Sequence, residues 1–235
     1  MKKATLVMPV LNEIEGLKLI MPRIKEEWID QIICLDGNST DGTIDFIKEH
    51  NYVLIPERIP GLRHTVSELH KQVKNDIIIT FSPDGNCIPE LIPELIKKME
   101  EGYDMVIASR YFQGAKSEDD SLITKFGNWM FPMLINLLHG GHYTDIFGIF
   151  RAYKKKLLVD LDLGGNSGYI IPEKLLNLPM GWEPLLAIRA AKRKLKLADI
   201  PGDEPARIVG TSKLKPFKHG LAHLIQVFTE VFIWR

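Results

Sequence analysis

Ile32-Ile33-Cys34-Leu35-Asp36-Gly37-Asn38-Ser39-Thr40-Asp41-Gly42-Thr43 is the stretch that decides how this chain folds. A hydrophobic run ends in a carboxylate, and a turn of glycine and small polar residues follows at once. The pattern recurs at Ile77-Ile78-Ile79-Thr80-Phe81-Ser82-Pro83-Asp84-Gly85-Asn86. An acid at the carboxyl end of a parallel strand points into the crevice where open α/β sheets bind their ligands. Two such turns on one sheet suit a nucleotide at one and a divalent cation on its phosphates at the other.

Outward from these turns, residues 4–10, 31–35, 52–55, 76–81 and 104–109 read as strands, rich in Val and Ile and bounded by polar turns. Residues 15–27, 41–49, 65–73 and 91–100 carry helical periodicity between them. Strand–helix alternation predicts an α/β fold with a mostly parallel central sheet and helices on both faces. After Tyr111 the rhythm changes. Residues 113–121 form a polar, acidic loop whose length suits a mobile or ligand-contacting segment. A long helix over 122–138 is interrupted by Pro132; 149–153 and 195–201 read as strands and 184–194 as a helix. Residues 202–216 are loop-like, and 217–234 close the chain as a helix with Phe217, Leu221, Leu224, Ile225, Phe228, Val231 and Phe232 on one broad face.

The 235 residues fit one large domain or one domain with a small appendage. Thirty basic residues balance thirty acidic ones, which argues against a dedicated nucleic-acid binder. Cys34 and Cys87 are the two cysteines, and neither has a pairing pattern, so a reducing, cytoplasmic compartment is expected. No signal-peptide core follows Met1, and no apolar stretch reaches the ~18–20 residues of a membrane span. The chain is expected to be soluble, or attached at most to the inner membrane surface.

Each candidate residue has two readings. Glu13 places a carboxylate near the ligand edge, yet also suits the first turn of a helix, where the dipole favours an acid. Asp36 can accept from a base N–H or a ribose hydroxyl, whereas Asp41 reads as a cap. Asp84 and Asn86 are the metal candidates, since Mg²⁺ or Mn²⁺ held by one or two protein oxygens keeps positions open for phosphate. Arg110, at a strand end, offers a fork for phosphate oxygens or a surface salt bridge. Arg207, Lys213 and Lys215 flank a glycine-containing loop that can close over a diphosphate or stay solvated. Asp145 and Glu183 are candidates for a base that accepts an acceptor's proton, or for orienting a sugar; Glu183 also suits a helix start. The histidines show no metal-ligand spacing.

Taken in order over roughly residues 4 to 216, these segments resemble a family 2 glycosyltransferase of the GT-A fold, in particular the dolichol-phosphate mannose synthases and related polyprenyl-phosphate sugar transferases. Pro9-Val10-Leu11-Asn12-Glu13 is similar to the family's opening Pro-x-x-Asn-Glu. The turn at Asp36 resembles its Asp-Asp-Gly-Ser-x-Asp-Gly-Thr, with Gly37 in place of the second acid. Asp84-Gly85-Asn86 matches its Asp-x-Asp, with asparagine at the last position. Ser109-Arg110-Tyr111, the segment from Thr144 to Arg151, Glu183 with the helix after it, and Arg207-x-x-Gly210-Thr211-Ser212-Lys213-Leu214 match further motifs.

The resemblance implies an inverting hexose transfer from a GDP- or UDP-linked sugar, with polyprenyl phosphate as acceptor. It implies nucleotide contacts at Pro9, Leu11, Glu13, Asp36, Asp84 and Gly85, and Mg²⁺ or Mn²⁺ at Asp84 and Asn86. It further implies diphosphate contacts at Arg110, Arg207 and Lys213, and catalytic roles for Arg110, Asp145 and Glu183. Residues 1–216 would form the transferase domain, and 217–235 an amphipathic helix that packs on it or lies on a membrane. The rival expectations are a soluble transferase acting on a saccharide or small-molecule hydroxyl, and a sugar-nucleotide-binding protein that has lost catalysis. Aromatic and Met-rich residues at 126–137 support a lipid surface, though a packed face would read the same way.

Overall fold

The structure, a computed structural model, describes residues 3–208 and 215–234. Its centre is a seven-stranded sheet formed by β1 (Ala4–Val10), β2 (Ile29–Asp36), β3 (Val53–Pro56), β4 (Ile77–Thr80), β5 (Met105–Ser109), β6 (Arg151–Lys154) and β7 (Leu197–Pro201). The order across the sheet is β3-β2-β1-β4-β6-β5-β7. All neighbours are parallel except at β6, which runs antiparallel to both β4 and β5.

Among the described residues, nine α-helices accompany the strands: α1 (Ile14–Ile20), α2 (Thr43–Glu49), α3 (Val66–Gln72), α4 (Ile92–Glu100), α5 (Leu122–His139), α6 (Leu157–Asp160), α7 (Ile170–Leu176), α8 (Glu183–Lys192) and α9 (Pro216–Ile233). Successive side chains of a strand point to opposite faces. Leu6 and Met8 of β1 therefore join one core with Leu17, Ile79, Leu95 and Ile96. Val7 joins the other, with Ile33, Ile78, Tyr153, Trp182 and Leu185. Both faces are covered, which is why the central strands read as continuous hydrophobic runs.

The chain winds outward from β1 in both directions: to β2 and β3 on one side, and to β4 on the other. The carboxyl ends of β1 and β4 therefore flank a topological switch point, where open α/β sheets bind ligands. The two stretches at that point are 11–13 and 81–88.

Two expected boundaries move. The helix expected over 15–27 ends at Ile20 and continues as a 3₁₀ turn, Met21–Arg23. Pro22 has no N–H to donate and its ring crowds the preceding turn, so the α-helix stops there. By contrast, α5 runs through Pro132 from Leu122 to His139, opened by a reciprocal capping box between Ser121 and Thr124. The helix α7 was not expected from the sequence. The closing helix α9 packs against α5, α7 and α8 and buries Ala222, Gln226, Val227 and Glu230, so one of its faces belongs to the core.

Candidate active site

The first two turns of the ligand edge are stapled together. Asn12, at a positive φ of 58°, accepts from the Thr40 N–H through Oδ1 at 2.8 Å, while its own N–H donates to Ser39 Oγ at 2.9 Å. Asp41 accepts from the Ile14 N–H at 3.1 Å and the Thr43 N–H at 3.0 Å, so one carboxylate serves the first residue of both α1 and α2. These bonds hold its pKa below the ordinary carboxylate value against the opposing effect of its partial burial. The capping reading of Asp41 matches this geometry. Glu13 precedes α1, and its N–H donates to Thr43 Oγ1 at 2.9 Å.

Asp36 ends β2 and is 2% exposed. Its carboxylate accepts from the Asn38 N–H at 2.9 Å and the Ser39 N–H at 3.2 Å, so it shapes its own turn. Gly37, where the resemblance expects a second acid, lies between Leu11 and Glu57: a Cβ built there would sit 3.4 Å from both Leu11 Cβ and Glu57 Oε2. Glu57 in turn accepts from the Gly61 N–H. Pro9, half-buried in β1, pairs with Leu35 in register and completes this corner.

The third turn carries the cation candidates. Asp84 is 5% and Asn86 8% exposed. Asp84 Oδ1 accepts from the Asn86 N–H at 3.1 Å, and Oδ2 accepts from Arg207 Nη1 at 2.6 Å. The second fork nitrogen of Arg207 reaches Asp119 Oδ2 at 3.3 Å, and Asn86 Nδ2 donates to that same oxygen at 3.1 Å. Asn86 Oδ1 and Arg207 Nε are buried and have no hydrogen-bond partner among the described residues. Gly85 has a φ of +97°, and a Cβ there would meet Ile208 Cγ1 at 2.6 Å. Only glycine satisfies both conditions. Arg207 thus lies on the Asp84 turn. Lys213 lies outside the described residues.

Arg110 and Asp145 form a bidentate pair, Nε to Oδ2 at 2.6 Å and Nη2 to Oδ1 at 2.9 Å. Asp145 is fully buried and also accepts from the N–H groups of Phe147, Gly148 and Arg110. Burial alone would raise its pKa; the Arg110 charge and these donors bring it below the ordinary value. Arg110 Nη1 reaches Glu204 Oε2 at 3.3 Å. The expected phosphate clamp therefore has its donors engaged on Asp145 and Glu204. Asp145, expected as a base, has its oxygens committed to five donor groups. In this geometry it positions Arg110 and the 145–148 turn.

Glu183 opens α8. It is half-buried as a residue, but its carboxylate turns back under Gly181, where a Cβ would lie 2.6 Å from Oε2. Burial raises its pKa against the opposing pull of backbone N–H groups and Arg151. Arg151 ties Glu183 to the Asp145 turn, donating to the carbonyls of Ile146 at 2.7 Å, Gly148 at 2.9 Å and Glu183 at 3.3 Å.

Three residues of this edge escaped the sequence reading: Glu57, Asp119 and Glu204. Asp119 and Glu204 arrive because the acidic loop is zipped to the segment after β7. Lys116 N–H donates to Asp203 at 2.8 Å, Glu118 N–H to the Glu204 carbonyl at 2.9 Å, and Ser117 Oγ to Glu204. A separate groove of about 440 Å³ runs along the outer side of β3, lined by Pro56, Arg58, His64 and Glu68. None of the expected site residues lines it. The expected acids, the Asn86 amide and the Arg207 guanidinium converge at the switch point instead.

The family model for glycosyl transferase family 2 matches residues 5–161, well over half of the chain. The chain belongs to glycosyl transferase family 2. It is 26% identical over 218 residues to a dolichyl-phosphate hexose transferase of Haloferax volcanii, covering 92% of this chain and 88% of that one. It is 22% identical over 214 residues to the glycosyltransferase AglJ of the same organism, covering 90% and 66%. It is 30% identical over 169 residues to an undecaprenyl-phosphate 4-deoxy-4-formamido-L-arabinose transferase of Yersinia enterocolitica, covering 67% and 50%. The chain thus spans half to two thirds of the length of several curated relatives that it matches. The fold is that of Mycobacterium tuberculosis glucosyl-3-phosphoglycerate synthase, solved with Mn²⁺, UDP and phosphoglyceric acid: TM-score 0.69 at 18% identity, covering 100% of this chain and 80% of that one. This family 2 chain therefore has the GT-A fold expected of it, with β6 as the reversed strand.

Proposed function

We propose that this chain transfers a hexose from a nucleoside-diphosphate sugar to a polyprenyl phosphate, with inversion and with a divalent cation. The observation that carries the reading is the corner at the switch point, where Asp84, Asn86 and Arg207 meet. The oxygens of Asp84 and the unpartnered Oδ1 of Asn86 fit a hard cation such as Mg²⁺ or Mn²⁺. When bound, it would supply Lewis-acid stabilisation of the departing diphosphate. Arg207 would follow the diphosphate oxygens with its fork and offset the charge that builds up as the glycosidic bond breaks. Leu11, Gly37 and Glu57 would border the nucleoside, and Asp36 would hold the shape of that border.

An acceptor phosphate oxygen is already a competent nucleophile and needs no protein base. Its oxygen bonds to the anomeric carbon as the bond to the diphosphate breaks, and the diphosphate keeps the electron pair. Support for a lipid acceptor comes from the relatives' substrates and from the apolar residues exposed on α5 and α9, including Phe126, Trp129, Leu137, Phe217, Phe228 and Phe232. Among the described residues, no helix is long and apolar enough to cross a membrane. The exposed apolar residues of α5 and α9 would lie at the bilayer surface. One observation favours a second reading: the raised pKa of Glu183 suits a base for a hydroxyl acceptor.

Calorimetry with GDP and UDP, each with and without Mn²⁺, tests the donor site. The expected result is Mn²⁺-dependent binding of one of them, lost in Asp84→Ala. Transfer from the matching sugar nucleotide to undecaprenyl phosphate in vesicles then tests the acceptor. Turnover on a soluble saccharide alone, abolished in Glu183→Gln, would favour the hydroxyl reading. Absence of binding by either nucleotide would overturn the transferase reading.

A further inference from the structure

The Asp84 corner contains a second carboxylate that the Asp-Gly-Asn triplet lacks. It comes from the acidic loop, from a residue 35 positions further along the chain: Asp119. Asp119 Oδ2 accepts from both Asn86 Nδ2 and Arg207 Nη2, and Arg207 also binds Asp84, so one guanidinium bridges the two carboxylates. The Asn86 amide is oriented by this carboxylate, because turning it over would set its oxygen against an oxygen. That orientation leaves Asn86 Oδ1 buried and unpartnered, as Arg207 Nε also is. A buried amide oxygen without a donor is costly to leave so. Two acids bridged by one positive group, with a spare amide oxygen on the Asp84 turn, describe a cation site whose place is taken by a side chain. Among the described residues, no cluster of three or more acids, histidines or cysteines offers an alternative. Mg²⁺ and Mn²⁺ need only one or two carboxylates when phosphate oxygens complete the shell.

We propose that Asp119 is the second carboxylate ligand of the divalent cation at Asp84, with Asn86 Oδ1 as a third donor. Arg207 holds these ligands together in the cation's place and leaves them for the diphosphate. The proposal rests on the metal-dependent reading above and adds the ligand that the triplet does not provide. It also explains why the 113–121 loop is tied to the Arg207 segment. The hydrogen bonds of Lys116, Ser117 and Glu118 to residues 203 and 204, and of the Ala206 N–H to Glu118, bring donor and competitor to the corner as one unit.

Titration of Mn²⁺ followed by electron paramagnetic resonance, alone and with saturating UDP or GDP, tests it on the full chain. The variants are Asp84→Asn, Asp119→Asn, Asp119→Glu and Arg207→Gln. Asp119→Asn is expected to weaken Mn²⁺ by about 10–100-fold, the range seen when even outer partners of a metal are removed. Asp119→Glu restores part of the loss, and an unchanged thermal midpoint in Asp119→Asn shows that the loss is not unfolding. Arg207→Gln is expected to tighten Mn²⁺ alone, since the guanidinium competes for the same oxygens, while weakening nucleotide. Wild-type Mn²⁺ affinity in Asp119→Asn, with binding lost in Asp84→Asn, would overturn the role of Asp119 and leave the metal-dependent reading standing. Failure of the wild type to take up Mn²⁺ even with either nucleotide would overturn both.

Discussion

Arg110 and Asp145 show what a single side chain can cost in this fold. The pair is buried, with 11% and 0% of the two side chains exposed, and the carboxylate also serves three backbone donors. Removing one partner of such a pair leaves an uncompensated buried charge, a loss of about 3–5 kcal/mol. Asp145→Ala is therefore expected to lower the thermal midpoint by about 6–20 °C for a chain of this size, which differential scanning calorimetry would read. The pH dependence has a fixed sign. The folded-state pKa of Asp145 lies below its unfolded value, so its stabilisation is complete above the ordinary carboxylate range and is lost as pH falls through the folded value. At this scale the sequence was half legible. Strand-end acids and arginines identify themselves by position, because a turn after a hydrophobic run is a local signal. Their partners do not: Arg110 meets Asp145 35 residues later and Glu204 94 residues later. Asp119 lies in a loop whose length alone suggests ligand contact, and neither it nor Glu204 stands out from its polar neighbours until the two loops pair.

Among the elements, α9 is the one whose buried face a hydrophobic pattern describes least. It was legible as an amphipathic helix, but its partly polar buried face was not. Glu230 is fully buried and binds Arg189 Nη2 at 2.8 Å and Nε at 3.0 Å, a pairing that a hydrophobic pattern cannot announce. Ending the chain at residue 216 would strip α5, α7 and α8 of their cover and leave Arg189 charged and without this acid. Such a chain is expected to be insoluble or to lack a cooperative unfolding transition; a wild-type midpoint would show that α9 is dispensable. His223, on the same helix, packs against Phe147 and Phe131 with ring centroids 5.2 and 6.3 Å away. Burial, with the neighbouring His219 adding to it, lowers its pKa to about 4. An unfolded histidine takes up its proton near 6.5. Over the window from 6.5 down to 4 the unfolded chain binds a proton that the native chain refuses, so stability falls as pH falls, by about 3 kcal/mol in total. Urea unfolding at a series of pH values should show this slope. His223→Phe should flatten it, leaving the part contributed by His139 and His64, whose pKa values burial also lowers. The missed α7 has a simpler cause. Seven residues between glycine-rich and proline-containing turns are too few for a 3.6-residue period to stand out.

Across the whole molecule, the site is shared between two halves of the sheet. The strands β3, β2, β1 and β4 bring the stapled turns and the Asp84 corner; β6, β5 and β7 bring Arg110, the Asp145 turn and the segment that carries Arg207. The halves meet at β4 and β6, whose pairing sets Ile77 opposite Lys154 and Thr80 opposite Arg151. Because β6 runs against its neighbours, its first residue, not its last, reaches the ligand edge. The chain can thus feed that edge both on leaving a strand and on entering one. That reversal also sets a timetable. Pairing β4 with β6 closes a gap of more than seventy residues, and pairing β5 with β7 closes one of about ninety. Contacts so distant in sequence are late and slow to form. The last of these seams to close during synthesis is β5–β7, whose following segment carries Arg207 to Asp84, so a nascent chain cannot assemble the Asp84 corner until residue 207 has emerged.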